Sequence, residues 1–132
     1  MAGMLYLVPT PIGNLSDISA RCRKTFEEAD FIAAEDTRVT LKLLNFLELK
    51  KPLVSYYEHN KLESGPKIVR RIQEGETCVL VSDAGSPAIS DPGEDLVRLC
   101  AEAGLTVCAI PGPCALVTAL SISGLPTGRF CF

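Results

Sequence analysis

The sequence has almost no histidine and lacks the cysteine spacings from which metal centres are usually built. It contains one histidine, His59, and none of its six cysteines forms a CxxC pair or another zinc-ligand spacing. The spacing therefore gives no indication of a metal site. A disulfide framework is also disfavoured, because several cysteines fall inside predicted strands and helices, where reduced cysteine packs as a small apolar side chain. The cysteines are Cys22, Cys78, Cys100, Cys108, Cys114 and Cys131.

Several motifs that would assign a function class are also missing. No GxGxxG follows a predicted strand, and GxxxxGK[ST] and GxSxG are absent, which disfavours a dinucleotide fold, a P-loop and a serine hydrolase. No apolar run approaches the roughly 20 residues needed to cross a bilayer, and the N-terminus lacks a signal-peptide pattern. The net charge of −3 argues against a broad basic nucleic-acid-binding surface. We therefore expect a cytoplasmic protein without a membrane-spanning segment.

Short apolar runs alternate with longer amphipathic segments along the 132 residues. This alternation predicts one α/β domain in three layers, with a mostly parallel five-stranded sheet and helices on both faces. The predicted strands are Met4–Val8, Phe31–Ala34, Leu53–Tyr56, Thr77–Ser82 and Thr106–Ile110. The predicted helices are Asp17–Ala29, Thr37–Leu47, Glu63–Glu74, Pro92–Ala103 and a fifth that begins at Pro113 and ends near Gly124.

Three loops rich in small residues follow the first, fourth and fifth predicted strands. They are Val8–Leu15, Val81–Gly93 and Ile110–Ala115. Each leads from a strand into a helix, and in parallel α/β proteins ligands bind beyond the carboxyl ends of the strands. Loops with so little side-chain bulk let a ligand come close to the backbone. We therefore expect the three loops to meet at one edge of the sheet and to form a ligand site there.

The second of these loops leads into a helix with strong start signals. Asp91 is predicted as the N-cap, Pro92 as the first helical residue and Glu94 as the partner in a capping box. An ordinary connection between a strand and a helix could carry the same residues. The presence of two similar loops at equivalent positions favours the ligand site.

Four segments resemble the tetrapyrrole methylase superfamily, in particular its branch that acts on ribosomal RNA. They are Leu5–Leu15, Ala33–Arg38, Ser82–Gly93 and Pro111–Ala115, in the family's order and spacing. The resemblance implies S-adenosylmethionine as methyl donor, bound between two α/β domains, and a homodimer. It implies that the substrate is the 2′-hydroxyl of a cytidine in the 16S rRNA of the small ribosomal subunit. Residues 1–125 would then form the N-terminal domain, and residues 126–132 would begin a linker to a second domain.

The resemblance also assigns cofactor contacts to the three loops. Ser86 stands where many relatives carry aspartate, so a carboxylate bond to the ligand is in doubt there. Cys114 lies near a helix N-terminus, whose free N–H groups suit the carboxylate of the methionine moiety. Asp83 is a further candidate because a carboxylate favours the cationic sulfonium; accepting N–H groups of its own loop is the alternative. The full set is Pro11, Ile12, Asp83, Ser86, Pro87, Ile89, Cys114 and Ala115.

The segment Glu35–Arg38 follows the second predicted strand and supplies candidates for catalysis. Transfer of a methyl group to a ribose hydroxyl needs an in-line arrangement and a group that accepts the hydroxyl proton. We hypothesise that Glu35 or Asp36 accepts this proton or orients the ribose, and that Arg38 holds an RNA phosphate. The structural alternative is that Asp36 caps the second helix and that Glu35 pairs with Arg38.

The aromatic run after the third predicted strand allows a different interpretation of the same site. Tyr56 and Tyr57 could stack on a flipped base, and His59 could accept the proton instead of a carboxylate. A packing or capping role is the alternative that we favour. Two other function classes also remain: a small-molecule methylase of the tetrapyrrole type and a non-catalytic ligand-binding or dimerisation module. We expect the 132 residues alone to fold without methylating RNA, because half of a cleft offers half of the contacts.

Overall fold

The computed structural model describes every residue from Met1 to Phe132 and contains one five-stranded sheet. The strands are β1 Met4–Leu7, β2 Phe31–Ala34, β3 Leu53–Ser55, β4 Cys78–Val81 and β5 Thr106–Ala109. Their order across the sheet is β3-β2-β4-β1-β5, and every pair is parallel. Strands β2 and β4 are buried along their whole length, as expected for apolar strands covered on both faces. The predicted strands are confirmed to within one residue at each end.

Five helices cover the sheet or follow it. They are α1 Ala20–Glu28, α2 Thr37–Phe46, α3 Lys61–Gln73, α4 Gly93–Glu102 and α5 Ala115–Ile122. The chain moves outward from β1 to β3 and then returns through β4 to β5. Because crossovers between parallel strands are right-handed, the outward and returning helices lie on opposite faces. The three-layer prediction is confirmed.

Two apolar clusters show the two covered faces. On one face, Phe26 of α1 and Leu44 of α2 pack with Val79 of β4. On the other face, Ile72 of α3 and Leu96 of α4 pack in the cluster that contains alternate residues of the same strands. The side chains of a strand point to alternate faces, so each buried strand contributes to both clusters. Helix α5 contributes no buried residue.

The first helix begins later than predicted. Leu15–Asp17 form a separate 3-10 turn, and α1 begins at Ala20 rather than at Asp17. Ser19 causes this start, because its hydroxyl accepts a hydrogen bond from the backbone N of Cys22 at 3.0 Å. Ile18 has an extended backbone between the two elements. The apolar spacing indicated the helix but not its cap.

The start of α4 also differs from the prediction. Helix α4 begins at Gly93, and Pro92 is the residue before it. The Asp91 carboxylate accepts a hydrogen bond from the backbone N of Gly93 at 2.8 Å, so it does cap the helix end. The Glu94 side chain makes no hydrogen bond, so the predicted capping box does not form. The longest helix, α3, has 13 residues, and none of the five is both long and apolar enough to span a membrane.

Candidate active site at the carboxyl edge of the sheet

Three loops meet at this edge because β4, β1 and β5 are neighbours in the sheet. Thr10 of the first loop and Gly85 of the second form an antiparallel bridge with N···O distances of 3.1 and 2.9 Å. The hydroxyl of Ser86 donates to the carbonyl oxygen of Pro113 in the third loop at 3.3 Å. The second loop is thus bonded to both of the others. The predicted meeting of the three loops is confirmed.

Two glycines allow these loops to pack closely. Gly85 has a φ of +77°, and a Cβ atom there would lie 3.3 Å from both Ile12 Cγ2 and the carbonyl oxygen of Pro113. At Gly112 a Cβ atom would lie 2.3 Å from Cγ of Pro9, far inside van der Waals contact. A side chain at Gly112 would therefore push the first and third loops apart.

The second loop contains a strained turn held by one carboxylate. Ala88 and Ser90 adopt φ values of 70° and 54°, a conformation that costs non-glycine residues roughly 1–3 kcal/mol. The Asp91 carboxylate accepts from the backbone N of Ala88, with its two oxygens at 3.0 and 2.9 Å, and also from Gly93. Burial raises the pKa of Asp91, and these hydrogen bonds partly offset the effect. Asp91 therefore organises the loop as well as the helix end.

The residues predicted to contact the cofactor all lie on these loops or at the start of α5. Ile89 lies between the strained residues Ala88 and Ser90. It is 63% exposed, so a ligand can contact its side chain. Cys114 directly precedes α5, and the first N–H groups of that helix have no side-chain cap. Pro11, Ile12, Ser86 and Cys114 are half-buried, Pro87 is buried, and Asp83, Ile89 and Ala115 are exposed.

The segment after β2 lies beside β4 at the same edge. Asp36 caps α2, since its carboxylate accepts from the backbone N of Arg38 at 3.0 Å. The same carboxylate binds the Arg38 guanidinium through Nε at 3.1 Å and Nη2 at 3.0 Å. These bonds from Arg38 lower the pKa of Asp36. The capping alternative for Asp36 is confirmed, whereas Arg38 pairs with Asp36 and not with Glu35.

Glu35 differs from its neighbour in environment. It is half-buried and takes part in none of the side-chain hydrogen bonds or ion pairs of the structure. Burial raises its pKa, and the nearby carboxylates of Asp83 and Asp91 raise it further. A carboxylate that is desolvated and close to like charge holds a proton more tightly, which suits a group that must accept one during a reaction.

The aromatic residues after β3 divide into a buried and an exposed part. Tyr56 is 1% exposed, and its hydroxyl donates to the carbonyl oxygen of Pro92 at 2.8 Å. Burial raises the pKa of Tyr56 to about 12. The packing alternative is therefore confirmed for Tyr56. Tyr57 and His59 are exposed and meet edge to face, with ring centroids 6.0 Å apart.

A cleft of about 320 Å³ opens between the first loop, α2 and the beginning of the second loop. Sequence reasoning identified two residues of its lining, Pro11 and Asp83, but missed Thr10 and Lys42. The available signal for Thr10 was its position between Pro9 and Pro11. A residue before a proline has a restricted, extended backbone, so a polar side chain there is held in a fixed place. No group of three or more His, Cys, Asp or Glu side chains is arranged to hold a metal ion.

Comparison with known proteins finds relatives that match this chain over nearly its whole length. Residues 4–130 match the family of tetrapyrrole (corrin/porphyrin) methylases. The chain is 50% identical over 130 residues to ribosomal RNA small subunit methyltransferase I of Escherichia coli O157:H7, covering 98% of this chain and 46% of that protein. It is 56% identical over 130 residues to the protein of the same name from Halalkalibacterium halodurans, covering 98% and 45%. The chain thus spans about half the length of the curated relatives it matches.

Solved structures share the fold at lower sequence identity. A crystal structure of diphthine synthase has a TM-score of 0.75 at 20% identity, covering 98% of this chain and 52% of the other. The uroporphyrin-III-C-methyltransferase of Thermus thermophilus has a TM-score of 0.69 at 23% identity, covering 96% and 55%. At this identity the two structures support the fold alone.

Proposed function

The chain belongs to the tetrapyrrole methylase family, and from this premise we propose that the protein methylates ribosomal RNA. The methyl donor is S-adenosylmethionine, and the acceptor is the 2′-hydroxyl of a cytidine in the 16S rRNA of the small ribosomal subunit. The observation that carries the proposal is the meeting of four motif segments at one sheet edge, in a chain about half identical to rRNA methyltransferases.

We propose that the three bonded loops bind the methyl donor. Gly85 and Gly112 let the three loops pack closely against one another, which brings their backbones together at one place. The uncapped start of α5 at Cys114 and Ala115 suits the methionine carboxylate, because N–H groups and the helix dipole favour an anion. Asp83 would favour the positive sulfonium. The apolar contacts would come from Pro11, Ile12, Pro87 and Ile89, with Ser86 contributing backbone contacts.

Glu35 is the better of the two candidates for proton acceptor. During transfer a bond forms between the ribose oxygen and the methyl carbon, the carbon–sulfur bond breaks, and the hydroxyl proton must leave. The Asp36 carboxylate is already occupied by Arg38 and the helix end, which makes it a weaker base. Glu35 has no such partners and a raised pKa. Asp36 would instead orient Arg38.

We assign Arg38 to an RNA phosphate. Its side chain is 87% exposed although it is bonded to Asp36 on one side. A guanidinium carries five N–H donors, so the groups that Asp36 leaves free can bind a phosphate oxygen. Arg38→Ala in the full-length protein should raise the KM for ribosomal subunits more than it lowers kcat. Arg70→Ala, at an exposed position on α3, is the matched control. An unchanged KM for Arg38→Ala would remove the phosphate role.

The proposed function is tested by transfer of a labelled methyl group from S-adenosylmethionine to small ribosomal subunits that lack this methylation. We expect the full-length protein to label 16S rRNA, and Glu35→Gln to lower kcat roughly 100-fold, the lower end for loss of a general base. Glu74→Gln is the control, because Glu74 is exposed and follows α3 toward the opposite edge. Absence of label with the full-length protein would refute the function. A Glu35→Gln variant with normal kcat would refute only the base.

We further propose that residues 1–125 act as the N-terminal domain, that residues 126–132 begin a linker, and that the protein works as a homodimer. Titration calorimetry of S-adenosylmethionine should give tight binding by the full-length protein and weaker binding by the 132 residues alone. Equal affinities would place the whole cofactor site on these three loops. Light scattering of the full-length protein tests the dimer, and a monomer mass would exclude it.

A further inference from the structure

The cleft beside α2 has polar groups that the proposed cofactor site does not use. Its walls include Thr10 and Pro11 from the first loop, Val39 and Lys42 from α2, and Asp83 after β4. The contacts among the three loops involve Ile12, Gly85, Ser86 and Pro113, which do not line the cleft, and also Thr10, which lines it and is bridged to Gly85 through its backbone. The backbone of Thr10 thus holds the bonded loops together while its hydroxyl has no partner, and Pro11 and Asp83 are the cleft residues that the proposed cofactor site also uses.

Thr10 gives the first sign that this cleft binds a polar ligand. It is 5% exposed, and its hydroxyl is the one buried side-chain oxygen or nitrogen without a hydrogen-bond partner. The hydroxyl of Ser82, which also lines the cleft, is already bonded to the carbonyl oxygen of Ala84 at 3.0 Å. Buried polar groups almost always have a partner, and Thr10 is a residue of the cleft wall, so a ligand that enters the cleft can supply the partner that its hydroxyl lacks.

The size and walls of the cleft suit one flat ring. A volume of about 320 Å³ lies at the low end for ligand sites. Leu15 and Val39 expose 46% and 38% of their surfaces although they line it. Apolar surface of this kind is covered when a planar base enters between the loop and the helix.

The charged groups of the cleft select among bases. The carboxylate of Asp83 offers only acceptors, and the ammonium of Lys42 offers only donors. Cytosine presents an amine, which a carboxylate accepts, next to ring and carbonyl acceptors, which an ammonium can bind. Uracil presents a carbonyl where cytosine has its amine, and this carbonyl would face the Asp83 carboxylate. The cleft chemistry therefore favours cytosine over uracil.

We propose that the Thr10–Lys42–Asp83 cleft binds the base of the acceptor nucleotide, and that Asp83 and Lys42 discriminate cytosine from uracil there. The inference rests on the proposed function, since it makes this cleft the acceptor side of the methylation site. It deepens that function by assigning base selection to the α2 side of the first loop. A base that enters the cleft is no longer stacked on its neighbours, like the flipped bases of enzymes that modify a base.

The test is titration of cytidine 5′-monophosphate and uridine 5′-monophosphate into the isotope-labelled chain, followed by amide NMR shifts. We expect the cytidine nucleotide to shift the amides of Thr10, Lys42 and Asp83, and the uridine nucleotide to bind at least several-fold more weakly. Thr10→Val keeps the side-chain shape and should weaken the cytidine nucleotide about tenfold, the effect of one lost hydrogen bond. Asp83→Asn should reduce the preference for cytidine. Lys50→Met, at an exposed lysine outside the cleft, is the control for Lys42→Met.

The outcomes separate this inference from the function on which it rests. Shifts confined to other surfaces, equal binding of the two nucleotides, or unchanged binding by Thr10→Val would each overturn the base site. Methyl transfer to small subunits by the full-length protein is measured separately. If transfer occurs while the cleft fails these tests, the function stands and the base binds elsewhere.

Discussion

The close contact between the first and third loops gives the most direct test of the site architecture. Replacing Gly112 by alanine would place a methyl carbon 2.3 Å from Cγ of Pro9, whereas ordinary contacts begin at 3.4 Å. The loops must therefore separate by about 1 Å. Overpacking of this kind costs about 1–3 kcal/mol, and Gly112 is exposed, so the loop can shift outward and keep the cost low. Alanine also lowers the conformational entropy of the unfolded chain, which stabilises the fold by about 0.4–1 kcal/mol.

The net expectation for Gly112→Ala is a loss of about 1–2 kcal/mol in the free energy of unfolding. In a domain of 132 residues this lowers the melting temperature by roughly 4–8 °C. The measurement is thermal and urea unfolding followed by circular dichroism, combined with calorimetric titration of S-adenosylmethionine. We expect the affinity to fall as well, because the separated loops no longer present the same backbone groups.

Gly128→Ala is the matched control for this prediction. A Cβ atom at Gly128 has no neighbour within 4 Å, and its φ lies outside the left-handed range. The free energy of unfolding of Gly128→Ala should lie within about 0.5 kcal/mol of that of the wild-type chain, as is usual for surface substitutions. If Gly112→Ala unfolds at the same midpoint as Gly128→Ala and binds S-adenosylmethionine equally well, the tight loop contact is not a property of the protein in solution.

Three further predictions follow from single side chains. Thr10→Val should raise the free energy of unfolding by about 1 kcal/mol in urea melts, because it removes a buried hydroxyl without a partner; a loss of stability would mean that the hydroxyl is bonded in solution. Tyr56→Phe should lower the same quantity by about 1 kcal/mol, since the carbonyl of Pro92 loses the hydroxyl donor but keeps the backbone N of Asp95 at 3.1 Å, and an unchanged midpoint would contradict the bond to Tyr56. Glu35→Gln should stabilise the fold at neutral pH and lose that advantage as the pH falls toward 4.5, the usual pKa of glutamate. The native state holds the Glu35 proton more tightly than the unfolded state, so stability declines as the pH rises from 4.5 through the raised pKa; equal curves for both proteins at pH 4.5 and 7 would contradict the raised pKa.

Sequence patterns predicted the layers well because periodicity reports directly on burial. The runs around Ile32 and Val79 read as strands covered on both faces, and both are fully buried. The order β3-β2-β4-β1-β5 does not follow from periodicity, since the insertion of β4 between β1 and β2 depends on packing across the whole sheet. The start of α1 at Ala20 depends on one hydroxyl, that of Ser19, which the apolar spacing does not report.

The candidate site shows the same division between local and tertiary information. The small residues around Gly85 predicted a loop with little side-chain bulk, and the structure fills the space at Gly85 with the first and third loops, including the bridge to Thr10. The competition between Glu35 and Asp36 could not be resolved from their adjacent positions. The carboxylate of Asp36 binds Arg38, whereas the carboxylate of Glu35 lies near that of Asp83, which raises its pKa. Only the fold brings these groups together.

In the proposed site Glu35 would also couple cofactor binding to pH, because its pKa depends on the charge around it. Burial and the carboxylates of Asp83 and Asp91 raise that pKa in the free protein. A sulfonium bound beside Asp83 adds a positive charge, which favours the ionised carboxylate and lowers the pKa of Glu35. Binding must then release a proton at any pH between the two values, and the affinity must rise with pH up to the pKa of the free protein.

S-adenosylhomocysteine provides the comparison for this last prediction, because its sulfur is neutral. Calorimetric titrations in buffers of different ionisation enthalpy measure the protons released by each ligand. We expect release with S-adenosylmethionine between the pKa of Glu35 in the complex and its raised pKa in the free protein, little release with S-adenosylhomocysteine, and none for either ligand with Glu35→Gln. Equal release by the two ligands would mean that the sulfonium does not lie near Glu35. The assignment of Glu35 as the group that accepts the ribose proton would then lose its geometric basis, because that proton leaves an oxygen in line with the sulfur.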